Sequence, residues 1–61
     1  MITSDERASI LVIIAAEQAS VAHYAAQLAA DPTHALAGRW KALKRWHRRE
    51  ITRRRKEMRE R

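Results

Sequence analysis

The sequence predicts an all-α fold, an antiparallel two-helix hairpin that dimerises into a four-helix bundle. Three observations carry this. Residues 4 to 30 contain neither Gly nor Pro and are rich in Ala, the strongest helix former. A single Asp31-Pro32-Thr33 break falls at mid-chain, and beyond it apolar side chains recur at helical spacing on an otherwise cationic segment. The chain has 61 residues and no cysteine, so neither disulfides nor thiolate-bound metal can supplement a small core, and association with a second molecule is the remaining stabiliser.

Helix 1 is expected over about 4–30. Thr3-Ser4-Asp5-Glu6 reads as a capping box, with the Thr3 hydroxyl accepting from the Glu6 amide and the Glu6 carboxylate returning to the Thr3 N–H. Asp5 and Glu6 also suit the positive end of the helix dipole. At 100° per residue, Ile10, Ile14, Glu17, Val21, Tyr24 and Leu28 share one face, suited to covering by helix 2. The opposite face consists almost wholly of small residues: Ala8, Val12, Ala15, Ala19, Ala22 and Ala26. Such a surface fills no core alone but lets another helix approach closely, which suggests that two copies of helix 1 meet there. In outline that assembly resembles the small plasmid RNA-binding regulators that dimerise into four-helix bundles, with no residue motif in common.

The hinge is expected at 31–33. Pro32 disfavours helix in Asp31 yet suits the first position of a new helix, so helix 2 is expected over about 32–60, with Asp31 as its N-cap and a frayed C-terminal end. Leu36, Trp40, Leu43, His47, Ile51 and Met58 share its apolar face. The resulting register brings His47 to Glu17 and Arg54 near Asp5. It also sets Ile10 to Ile14 against the cationic segment Arg49 to Arg53, where Ile51 is the only large apolar residue. Helix 2 alone is therefore not expected to cover that run. The expected interface with a second copy or a partner comprises Ile10, Val12, Ile13, Ala15, Ala19, Ala22 and Ala26, edged by Trp46.

Charge is sharply divided. Residues 1–31 set Arg7 against Asp5, Glu6, Glu17 and Asp31, a net of −3, whereas residues 32–61 set twelve cations against Glu50, Glu57 and Glu60, a net of +9. The abundance of Arg and Ala also fits a GC-rich coding genome. Lys41, Arg45, Arg48, Arg49, Arg55, Lys56 and Arg59 fall on one face of helix 2 over about 27 Å. A row of that length can follow a phosphate backbone, giving salt-sensitive and largely sequence-independent binding. The solvated alternative has Glu50, Glu57 and Glu60 forming pairs within the helix, such as Glu50 with Arg54.

Catalytic constellations are absent from the sequence: Gly38 is the only glycine, so no Gly-rich phosphate loop exists, and no nucleophile stands at workable spacing from a base and an orienting acid. Neither cofactor nor metal is expected, because His23 projects about 120° from Glu17 on the same helix. The first functional expectation is a cytoplasmic, non-enzymatic, homo-oligomeric helical protein that binds nucleic acid backbone through its basic helix. The second is a small bacterial or phage adaptor or regulator that buries Ile10 to Ile14 in a partner protein and sets its basic helix on an acidic surface. The third is a single-pass membrane-associated subunit, since residues 8–30 are long enough to span a bilayer with the basic half on the cytoplasmic side. Glu17, Gln18 and His23 near the middle of that span weigh against it, and the acidic residues before the apolar run weigh against a cleaved signal peptide.

Overall fold

The computed structural model describes residues 1–60 as two helices, α1 (Ser4–Ala30) and α2 (Ala37–Glu60), packed along each other in an elongated hairpin of 46 × 15 × 11 Å. Thr3 caps α1 from extended backbone (φ −79°, ψ 162°), and its hydroxyl accepts from the Glu6 amide at 3.1 Å. The same hydroxyl lies 3.2 Å from the Glu6 carboxylate, to which it donates. The Thr3 carbonyl takes the Arg7 amide at 2.9 Å, closing the first turn.

The connection differs from the expected hinge. Asp31 is the C-cap of α1, its amide donating to the Gln27 carbonyl at 3.0 Å, and α2 begins at Ala37 rather than at Pro32. Residues 32–36 form successive turns, closed by His34 N–H to the Asp31 carbonyl (3.2 Å) and Ala37 N–H to the His34 carbonyl (2.9 Å). The physical reason lies in His34. Its Nδ1 accepts the Leu36 amide at 2.9 Å, so that amide does not donate to the Pro32 carbonyl as a helix starting there would require. The imidazole is itself stacked on Trp40, with centroids 4.7 Å apart. Regular α-helix starts where the Trp40 amide donates to the Leu36 carbonyl at 2.9 Å.

The core is small. Ile10 and Ile14 of α1 are each only 5% exposed and cluster with Ile51 of α2, flanked by Ile2, Val21 and Met58. The expectation that helix 2 alone does not cover the Ile10 to Ile14 run therefore holds for part of the run only. Helix 2 covers the two members that point towards it, and Ile13 is half-buried, whereas Leu11 (48% exposed) and Val12 (70%) remain in solvent. Ile51 is joined by Met58 about two turns further along α2, and Ile2 arrives from before the start of α1 to complete the cluster.

Arg54 does not reach Asp5. It pairs instead with Glu57 on its own helix at 3.4 Å, a partner held within one turn by the helix geometry. Glu50 likewise pairs with Arg53 (2.6 Å) rather than Arg54. The half-buried pair between Glu17 and His47, by contrast, joins the two helices as the register requires.

Candidate nucleic-acid interface

Lys41, Arg45, Arg48, Arg49, Arg55, Lys56 and Arg59 are all exposed on α2. Their neighbours divide them. The three carboxylates of α2 are engaged within the helix, Glu50 by Arg53, Glu57 by Arg54 and Glu60 by Lys56 at 3.8 Å. The Arg53 guanidinium is held above its ordinary pKa by its hydrogen bond to Glu50 and by that carboxylate's charge. Lys41, Lys44, Arg45, Arg48, Arg49, Arg55 and Arg59 form no ion pair among the described residues.

Most of these unpaired cations line one side of the hairpin. Leu28 of α1 with Lys41, Lys44, Arg45 and Arg48 bounds an open groove of about 450 Å³. The positions 41, 44, 45 and 48 follow the repeat of three and four that aligns side chains on one strip of a helix. A second groove of about 380 Å³ continues along the same seam, lined by Gln18, Val21, Arg48, Ile51, Thr52 and Arg55. Arg48 belongs to both. No carboxylate lines either groove.

Lys44 is the residue that sequence reasoning missed. On a helical wheel it falls between the apolar and cationic strips, and only the position of Leu28 across the seam reveals it as part of the groove wall. The signal was present in the spacing Lys41, Lys44, Arg45, Arg48, without the partner helix needed to interpret it.

The opposite seam is aromatic. The Tyr24 and His47 rings are stacked at 5.9 Å, Trp46 meets His47 edge-on at 5.0 Å, and His23 meets Tyr24 edge-on at 5.2 Å. The Glu17 carboxylate accepts from the His47 ring at Nδ1. Among the described residues, no group of three or more His, Cys, Asp or Glu side chains is placed to hold a metal.

The expected interface residues scatter. Ile10 is buried inside the hairpin and is not free to meet a partner, and Ile13 is half-buried. Val12, Ala15, Ala19, Ala22 and Ala26 are exposed along the side of α1 turned away from α2, and Trp46 is 51% exposed. By length and composition α1 would also reach across a membrane, a property shared by signal sequences and by core helices of soluble proteins.

Base-edge recognition has little to work with here. The Thr52 hydroxyl donates to the Arg48 carbonyl at 3.2 Å, leaving Gln18 as the one amide in the grooves. Cations without amides favour contact with phosphate, which positions a nucleic acid without reading its sequence. No protein-family model, curated protein or solved structure matches the chain.

Proposed function

We propose that this chain is a cytoplasmic, non-enzymatic nucleic-acid-binding protein that acts as a homodimer and holds the phosphate backbone with the basic side of α2. The observation that carries the reading is the separation of charge on that helix. Its carboxylates are occupied by Arg53, Arg54 and Lys56, while Lys41, Lys44, Arg45, Arg48, Arg49, Arg55 and Arg59 stand unneutralised. Such a row repels itself in free solution, and a polyanion relieves that repulsion while releasing its own condensed counterions. Anisotropy titration of labelled DNA and RNA at low salt tests the proposal. Saturable binding that weakens steeply with added salt is expected, and no binding to any duplex or single strand rejects it.

The dimer half of the proposal rests on the small-residue side of α1, where Ala15, Ala19, Ala22 and Ala26 permit close helix approach and Val12 has no cover within the hairpin. Two hairpins joined there make a four-helix assembly. Sedimentation equilibrium of the isolated chain distinguishes monomer from dimer.

The exposure of Leu11 and Val12 favours a second reading, an adaptor that seats this part of α1 in another protein. It predicts a monomeric isolated chain with no affinity for nucleic acid.

A further inference from the structure

We infer that the seam between the helices grips one backbone rail of a double-stranded nucleic acid, with Lys41, Lys44, Arg45, Arg48 and Arg55 as its phosphate contacts. This rests on the nucleic-acid reading above and specifies both the form of the ligand and the surface that receives it.

The two grooves join at Arg48 and run along the hairpin from Lys41 to Arg55, about 21 Å at 1.5 Å per residue. One strand of a duplex advances about 3.4 Å along the axis per phosphate while winding around it. The array therefore spans about six steps of axial rise and meets the few phosphates on the facing side of the strand. Five cations carried on one continuous helix form a row for that rail. Leu28, Val21 and Ile51 provide an apolar floor, and no carboxylate faces the strand.

The choice of duplex over single strand follows from where the rings are. Non-specific single-strand binders lay successive bases on aromatic side chains inside a cationic groove, and each stacked base contributes substantially to affinity. Here no aromatic side chain lines either groove. Tyr24, His47 and Trp46 are packed against one another along the other seam, with His47 also held by Glu17. A flexible single strand entering the groove gains charge contacts alone and loses conformational freedom, whereas a duplex arrives already ordered.

A bilayer fits the arrangement less well. The exposed apolar positions Val12 and Ala19 lie on the side of α1 away from α2, so the cationic groove and that apolar surface cannot both lie flat on one membrane plane.

The test compares a labelled mixed-sequence duplex with oligothymidine of the same length, titrated with the full chain at several salt concentrations, alongside phosphatidylserine vesicles. The expected result is tighter binding to the duplex. In Lys44→Gln/Arg48→Gln the plot of log K against log salt should become shallower by about 1.8, two contacts at 0.9 each. Lys41→Gln/Arg45→Gln is a second groove variant should the first fail to fold by circular dichroism. Arg49→Gln/Lys56→Gln, which removes cations outside both grooves, should change the slope less than either groove pair. Oligothymidine binding as tightly as duplex overturns the inference while leaving the nucleic-acid reading standing. So does a slope that responds to Arg49 and Lys56 and not to the groove. Vesicle binding without affinity for any nucleic acid overturns both.

Discussion

Ile51→Ala puts the hairpin's core to the sharpest test. Ile51 is the one buried large apolar residue that α2 contributes, and it packs on Ile10 and Ile14, themselves buried to 5% exposure. Truncating a buried Ile to Ala typically costs about 2–5 kcal/mol, combining lost transfer energy with the cavity left behind. A chain of 61 residues has a total stability of about 3–9 kcal/mol at the usual stability per residue. The substitution should therefore remove about a fifth of that stability or more, and leave a large unfolded fraction at room temperature if the starting value lies near the lower end. Urea denaturation followed by far-UV circular dichroism at two protein concentrations measures the loss, and Val12→Ala provides the contrast. Within one hairpin Val12 is 70% exposed and its truncation should shift the midpoint little. In a dimer closed across the same face it should cost stability, and the midpoint should rise with protein concentration. A loss below about 1 kcal/mol in Ile51→Ala, the range of an ordinary substitution, refutes the argument that this contact holds the two helices together.

Three further substitutions address separate parts of the structure. Ala19→Leu inserts a large side chain in the middle of the exposed Ala strip and should break a dimer packed there, at a cost of about 1–3 kcal/mol, so an unchanged mass by sedimentation rejects that interface. Glu17→Ala leaves the half-buried His47 without its carboxylate and should destabilise the hairpin by roughly 1–3 kcal/mol in urea; no change would mean that the contact does not hold the helices in register. His34→Ala removes the acceptor of the Leu36 amide, so hydrogen exchange at Leu36 should quicken while amides in the middle of α2 keep their protection. Unaltered exchange at Leu36 removes His34 as the reason that α2 starts at Ala37.

The elements most legible in the sequence were those set by local chemistry or by long periodicity. Thr3 and Glu6 mark the start of α1 because a cap is completed within one turn, and the spacing of Ile10, Ile14 and Ile51 defines which residues become the core. The Glu17 to His47 contact followed from helical register alone. The start of α2 was not legible, because Pro32 fits either a turn or a first helical position, and the decision falls to a His34 ring whose placement depends on Trp40. The pairing of Arg54 was missed for a related reason. A partner across the hairpin at Asp5 and a partner one turn away at Glu57 are both allowed by sequence, and the local one needs less ordering of two long side chains. At the candidate interface, the cations of α2 could be named from spacing, but their division into neutralised and unneutralised sets, and the inclusion of Lys44, required the pairs and the position of Leu28.

That division also bears on why a chain with so little core keeps the small-residue side of one helix free of charge and loads the other helix with cations. On α1, the side turned from α2 carries Val12, Ala15, Ala19, Ala22 and Ala26 without a charged residue among them, so a second copy meeting it desolvates no ion. On α2, Ile51 and Met58 supply apolar packing against α1 and His47 the polar contact to Glu17. Among the described residues, none of the cations that line the seam forms an ion pair across the hairpin. The surface proposed for self-association and the surface proposed for phosphate thus occupy different helices and different sides. Joining two hairpins through α1 would leave both cationic seams open, and would place two phosphate-binding rows on one particle, each adding its own counterion release to the binding of the other.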